Sequence, residues 1–399
     1  MDESFDFTSQ ENIDCLVCHE QTGSYRKGPG GRVADPSVLR EAAWSVQKPS
    51  RRNCGSCHFN GGGGDGVKHG DLDSSLLEPA RNLDVHMSSE GAGFDCVRCH
   101  TTQAHFISGR CYKIPAFTER KSLIDDDQVH RISCVSCHTA APHHSLAKLN
   151  DHTDVVACQT CHIPKFAREL PTKMWWDWSS AGQHEDNGAP VIRKGELGKD
   201  VYHGGKGDFV WEKNVIPDYF WFNGSLEYVL LSDRIDPDEV VKLNRVMGSR
   251  DDPRSRIYPF KVHRGKLPYD TRNLNMLSIN LAGDGKEAFW KSYQWEDALQ
   301  SGMEAHGMEF SGSFDFIETE YHFPTTHMVA PREDSLQCRD CHSREGRLAS
   351  LGGFYMPGRD RSTAVDFWGW LLVFLSVAGV TSHGLLRAVA RRLAGREGE

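Results

Sequence analysis

Six times in 399 residues the chain repeats Cys-x-x-Cys-His, as Cys15/Cys18/His19, Cys54/Cys57/His58, Cys96/Cys99/His100, Cys134/Cys137/His138, Cys158/Cys161/His162 and Cys338/Cys341/His342. Two cysteines at this spacing, followed at once by histidine, form the attachment device of haem c. The thiols become thioethers to the porphyrin and the adjacent imidazole ligates the iron. Twelve of the 13 cysteines are used in this way and only Cys111 is left over. A disulfide framework would leave an odd cysteine and six histidines without a reason. Paired CxxC zinc sites share the cysteine spacing, but zinc does not require a histidine after every second cysteine. The sequence therefore predicts six covalently bound haems c. Cys111 reads as a small buried apolar residue, with an exposed thiol near a haem as the alternative.

Six porphyrins in a chain of this size form much of its apolar interior, so a hydrophobic fraction of 38% is no sign of disorder. Residues 1–170 hold five motifs, separated by linkers rich in Gly, Pro, Ser and Asp. Short, mostly helical structure is expected there, with Pro36–Val46 and Asp125–His130 as candidate helices. Residues 171–330 carry no motif and are aromatic, from Lys173–Trp178 (KMWWDW) to Tyr219–Phe222 (YFWF). Strand-like runs such as Asp208–Trp211 and Tyr228–Leu231 lie between turns. This region reads as a packing lobe over the haems, with a separate catalytic domain as the alternative. Residues 331–362 hold the sixth motif and a linker, and 363–399 a membrane helix with a basic tail. The expected fold is a mainly α and irregular multihaem cytochrome c organised around packed haems, with minor β structure and one C-terminal transmembrane helix.

Phe367–Leu386 is 20 residues without Asp, Glu, Lys or Arg, enough to span a bilayer as one helix. Trp368 and Trp370 mark one interface. Arg387, Arg391, Arg392 and Arg396 place the tail in the cytoplasm and the body on the periplasmic face. His383 lies near the cytoplasmic end. It reads as reaching the interface, with a haem b or quinone contact as the alternative. The start, MDESFDFTSQ, is acidic and has no export-signal pattern. Haem c is attached outside the cytoplasm, so the expectation is a lost leader or, the favoured reading, a first Met internal to a longer protein. A net charge of −9 argues against nucleic acid as a partner.

A low-spin haem needs a second axial ligand, usually histidine. Of 20 histidines, six sit in the motifs. The distal set chosen from the others is His69, His86, His105, His143, His152, His263 and His327, each near a motif or in a compact turn beside apolar residues. Seven candidates for six irons hint at a further haem. Lys68, in the turn Gly61–His69, reads from spacing alone as a surface lysine. The glycine run before it lacks the Gly-Lys-Ser/Thr ending of a phosphate loop.

Longer stretches carry a family resemblance. DCLVCHE (14–20), NCGSCHFNGGGGDGVKHGDLDSS (53–75), CQTCHIP (158–164), TKMWWDWSSAG (172–182) and THMVAPRE (326–333) resemble the octahaem tetrathionate reductase family, c-type cytochromes of the bacterial periplasm. The likeness runs from about Phe5 to Gly358. It implies eight haems c, seven with two histidine ligands and a catalytic one ligated by the lysine of the DGVK turn. By resemblance that lysine is Lys68, with Asp65 beside it and Lys173 as a second pocket lysine (Lys165 is the alternative). The family's first two motifs would precede Met1, and the second of them carries the catalytic haem. The implied activity is reduction of small sulfur and nitrogen oxides such as tetrathionate, nitrite and hydroxylamine. Electrons would come from a membrane quinol-oxidising or cytochrome b partner or from other periplasmic cytochromes. Two rival readings are a non-catalytic electron carrier between such a partner and other cytochromes, and a scaffold subunit completed by a partner's haems.

Overall fold

The computed structural model describes residues 14–28, 31–103, 105–109, 112 and 132–394. Cys111 and the candidate helix Asp125–His130 lie outside the described residues. The chain divides into two compact units, Met1–Leu336 and Gln337–Glu399.

In the first unit each motif sits on a short helix: Cys15–His19, Arg51–His58, Cys96–Cys99, Val135–His138 and Cys158–His162. One turn of helix puts residues three and four apart on one face, which brings both cysteines of a motif to the same side. The helices are fixed by capping. Asp14 accepts from the Leu16 amide at 3.0 Å. Ser50 and Asn53 form a reciprocal capping box at the start of Arg51–His58. Asn53 also donates to the Glu20 carbonyl at 2.7 Å, binding the first motif to the second. The candidate helix Pro36–Val46 appears as a 3₁₀ turn, Pro36–Val38, running into the α-helix Leu39–Trp44. Among the described residues, strand structure in this half is one small ladder, β1 (Thr102–Gln103) against β2 (Phe106–Ile107).

The motif-free half is a sheet. Its strands are β3 (Thr172–Asp177), β4 (Ile192–Lys194), β5 (Asp200–His203), β6 (Gly207–Glu212), β7 (Asp218–Phe222), β9 (Val241–Lys242), β11 (Arg256–Asp270) and β12 (Phe314–Pro324). They order β4-β5-β6-β3-β11-β12-β9, with β7 also paired to β11. A separate pair joins β8 (Ser225–Tyr228) to β10 (Asn244–Met247). The expectation of minor β structure is therefore corrected: helices and a substantial sheet share the fold. The cause is the long antiparallel pair β11–β12, which runs in register from Phe260↔Pro324 to Asp270↔Phe314 and gives shorter aromatic strands an edge to join. Of the expected strands, Asp208–Trp211 lies inside β6. Tyr228–Leu231 is strand only at Tyr228, because Asp233 accepts from the Leu230 amide and turns the chain.

β3 runs parallel to β11, with Gly265 opposite Trp176. A Cβ on Gly265 would stand 2.3 Å from the Trp176 carbonyl oxygen, so only glycine admits this approach. Beside the sheet, Leu277, Leu299 and Met303 form a core with Trp295 and Phe314 packed against it. The motif helix Cys158–His162 docks on β11: Ala157 N and Thr160 Oγ1 both donate to the Ile257 carbonyl, at 3.0 and 2.8 Å.

In the second unit, Arg359 gathers the carbonyls of Leu348 (3.0 Å) and Phe354 (2.6 Å). A single helix, Thr363–Ala394, then contains the whole of Phe367–Leu386 and is long and apolar enough to cross a membrane.

Leu299 is fully buried on the helix Trp295–Glu304. Leu299→Ala should lower unfolding free energy by about 2–5 kcal/mol through loss of burial and the cavity left behind. Denaturant titration checks the value, while the haem mass of the folded protein should not change.

Candidate haem-ligand array and buried lysine site

Four motif histidines face four members of the distal set. Ring centroids are 6.3 Å apart for His19–His105, 6.0 Å for His86–His138, 6.1 Å for His100–His327 and 6.3 Å for His143–His162. Two imidazoles bound on opposite sides of one metal, each through a bond of roughly 2.0 Å, put their centroids about 6 Å apart. The spacing matches a shared iron. None of the twelve motif cysteines is tied up in a disulfide. These residues fit haem c. Several rings are oriented by carbonyls: Nδ1 of His19 donates to Gln47 O (2.8 Å), that of His100 to Ser108 O (3.0 Å), and that of His342 to Pro357 O (2.9 Å). A ring that donates from Nδ1 keeps its Nε2 lone pair for a metal.

Consecutive motifs are neighbours. The Cys54 side chain neighbours that of Cys96, and the Cys134 side chain that of Cys158. Cys18 lies within electrostatic reach of Cys57, and Cys99 of Cys137. The first five motifs therefore form a continuous file in chain order.

Cys161 has a structural contact besides its place in the motif. It is half-buried near the end of the helix Cys158–His162, and its carbonyl accepts from the Leu336 amide at 3.0 Å. The physical reason is that a helix of one turn leaves its last carbonyls without partners inside the helix. Cys161 thus also ties the fifth motif to the chain just before the sixth, while its thiol keeps the motif spacing for a thioether. The His162 carbonyl does the same for the Ala330 amide, at 2.8 Å. Cys341 of the sixth motif is likewise half-buried, at the end of the helix Cys338–Cys341.

His143 is partly buried and its Nδ1 lies 3.0 Å from Asn150 Oδ1, whereas the adjacent His144 is exposed. The four ring pairs do not include His69, His152 and His263. His152 closes the 3₁₀ helix Ala147–His152. The other two belong to a second feature, the turn Gly61–His69 where it meets the sheet.

Gly66, at φ +75°, points its carbonyl at the start of β3, where it accepts from Lys173 N (3.0 Å) and Thr172 Oγ1 (2.7 Å). A Cβ there would stand 2.5 Å from the Pro171 carbonyl oxygen, so both the conformation and the space require glycine. Lys261 of β11 closes the junction. Its Nζ donates to Val67 O (3.0 Å) and Thr172 Oγ1 (2.6 Å). The Lys68 amine sits 5.6 Å from the Phe323 ring centroid, and the His69 ring meets Phe323 edge-on at 5.4 Å. Asp65 accepts from Ser74 through both its backbone amide and its hydroxyl, and so holds the turn. Its main-chain oxygen accepts from Lys199 Nζ at 3.1 Å.

Lys173 is buried, while the alternative, Lys165, is exposed. The Lys173 amine lies 3.8 Å from the ring centroid of Trp176 and 3.5 Å from that of Phe209. Burial, with Lys206 nearby, brings its pKa down to about 7. Burial does the same to Lys261, also to about 7. His263 donates from Nδ1 to the Lys173 carbonyl (3.0 Å), and burial holds its ring neutral, with a pKa down to about 3. Burial lowers His69 to about 4. The structure thus joins Lys68, His69, Lys173 and His263 through one turn and two strands, and adds Lys261, which the sequence reading missed. The available signal was Lys261's position two residues before His263 in a strand, a spacing that puts both on one face.

The comparisons with known proteins point to multihaem cytochromes c. Residues 173–345 match the family described as "Cytochrome c bacterial". The solved octahaem cytochrome c of Shewanella oneidensis is 42% identical, with a TM-score of 0.76, over 88% of this chain and 77% of that one. The chain belongs to the octahaem tetrathionate reductase family of multihaem c-type cytochromes. An uncharacterised protein of Archaeoglobus fulgidus is 30% identical over 113 residues, which is 24% of this chain and 37% of that relative's length. As a multihaem c-type cytochrome, the chain carries haem c and works in electron transfer.

The ring planes predict a spectrum. The planes of His143–His162 and His100–His327 lie 9° and 23° apart, and those of His19–His105 and His86–His138 lie 83° and 64° apart. Parallel imidazole planes split the two iron dπ orbitals that face them, and crossed planes leave the two nearly degenerate. The fully oxidised protein should therefore show two classes of low-spin EPR signal, rhombic and strongly anisotropic. A single rhombic class would contradict the crossed pairs.

Proposed function

We propose that this chain serves a membrane-anchored periplasmic reductase of small sulfur or nitrogen oxides, with Lys68 as the exchangeable ligand of a catalytic iron that none of its six motifs attaches. The observation that carries the reading is the junction of Gly61–His69 with β3 and β11, which brings Lys68, Lys173 and Lys261 together with two half-buried, neutral histidines, His69 and His263. Haem c supplies one-electron transfer and, where one axial position can be vacated, a site for a small ligand.

The chain's own residues supply the remainder. The cationic junction favours anions. Burial excludes water and strengthens each charge interaction. With a pKa near 7, Lys173 can hold or release a proton at Nζ at neutral pH. Lys261 fixes the turn that carries Lys68 through its bond to Val67 O. Asp65 keeps that turn closed through Ser74. The proposed ligand set for the motif haems is the motif histidines, with His105, His86, His327 and His143 opposite four of them. His69, His152 and His263 are the candidates for the rest. Six haems belong to this chain, and the family's number is eight. Thr363–Ala394 is the proposed anchor, with the arginine-rich tail in the cytoplasm and a quinol-oxidising or cytochrome b partner as donor.

The file of motifs also suits a non-catalytic carrier, and Lys68 separates the two readings. Lys68→Ala in the full-length protein should change the spin state of one haem and its turnover with nitrite, tetrathionate or hydroxylamine. Unaltered spectra with unaltered turnover would leave the carrier reading. Lys173→Met should lower kcat/KM for the anion nitrite by roughly 10²-fold, the scale of one lost electrostatic partner. Uncharged hydroxylamine should lose less.

A further inference from the structure

Asp71 is buried, with 3% of its surface exposed, two residues beyond His69. Its Oδ2 accepts from the backbone amides of Thr326 (2.7 Å) and His327 (3.0 Å). The same oxygen lies 3.4 Å from Nδ1 of His327, which is also 3.0 Å from Thr326 Oγ1. His327 is the ring that faces His100 at 6.1 Å. Its setting differs from that of the other oriented rings, since Nδ1 of His19, His100 and His143 meets a neutral carbonyl oxygen. The other nearby carboxylate, Asp84, is engaged by main-chain amides of His86 (2.8 Å), Met87 (2.9 Å) and Val329 (3.2 Å).

We propose that Asp71 is a positioning and tuning residue for the ligand His327, and that it makes the His100–His327 centre the hardest of the paired centres to reduce. This rests on the reading of those two rings as one axial pair. A carboxylate on the far nitrogen of a ligating imidazole draws the Nδ1 proton toward itself and makes the ring a stronger electron donor. A stronger donor stabilises the oxidised metal and lowers the midpoint potential. Two backbone amides hold the carboxylate in place. Lys261 lies within electrostatic reach of it but directs its hydrogen bonds to Val67 O and Thr172 Oγ1. The motif at Cys96 stands between those at Cys54 and Cys134 in the file. An electron crossing the file therefore meets an uphill step in mid-course and does not rest there.

The test is potentiometry of the full-length holoprotein, followed by EPR. His327→Met identifies the centre, because one haem should change from a two-histidine to a histidine–methionine signature. Asp71→Asn should raise that centre's midpoint, shifting its oxidised-to-reduced ratio at fixed potential about tenfold, which is about 59 mV for one electron. Asp71→Glu should restore most of the difference. If His327→Met leaves every haem unchanged, the axial pair is wrong and the tuning falls with it. If His327→Met changes one haem but Asp71→Asn moves no midpoint, the pair stands and the tuning is overturned. Should Asp71→Asn fail to fold, the wild-type titration decides. The midpoint assigned through His327→Met must lie below those assigned through His86→Met, His105→Met and His143→Met, and a higher value overturns the proposal.

Discussion

Two imidazoles share one iron only when their rings face each other about 6 Å apart, with no side chain between them. Among the described residues, four pairs have that separation. Much of the surrounding structure is arranged to keep those gaps. Helices of four to eight residues are too short to be stable by propensity alone. They persist because capping side chains and backbone bonds tie each one to the next. Asn53 does this between the first two motifs, and the Ile257 carbonyl between the fifth and the sheet. Haem attachment adds a covalent link at each step. Secondary structure here is scaffolding for a row of ligands, and the sheet gives that row a rigid side.

The lysine junction follows a different logic. Taking amines out of water disfavours their charged form, and both Lys173 and Lys261 are brought down to about 7. A protein that only needed a packed core would place leucine or methionine there. Lys261 is satisfied by Val67 O and Thr172 Oγ1, so its burial fixes a turn. Lys173 has aromatic faces around its amine, which steady a cation and leave its proton available. Polar groups kept at such a cost are a mark of functional sites. This one lies against the turn that carries Lys68.

The motifs and their proximal ligands were legible because covalent chemistry fixes residue type and spacing at once. The second duty of Cys161 was not, because a main-chain carbonyl leaves no mark on residue type. Distal ligands were legible in part. His86, His105, His143 and His327 could be picked by their nearness to motifs or compact turns, but their assignment to particular irons depends on contacts across long stretches of chain. His327 pairs with His100 over more than half the sequence. The sheet was underestimated because its strands are short and aromatic and depend on one long pair, β11–β12, whose alternation is interrupted by Pro259, Lys261 and Pro268. Lys261 and Asp71 were missed for a related reason. A buried charged residue looks like a surface residue until its partners are known, and those partners are 89 to 256 positions away.

The most direct test of the account is haem-peptide mapping of the mature protein. Proteolysis and mass spectrometry would show which CxxCH peptides carry a thioether-linked haem. All six peptides, at Cys15, Cys54, Cys96, Cys134, Cys158 and Cys338, should carry one each. Recovery of these peptides with unmodified thiols, or of the intact protein with zinc in place of haem, would contradict the claim that paired imidazoles around covalently bound iron organise this fold.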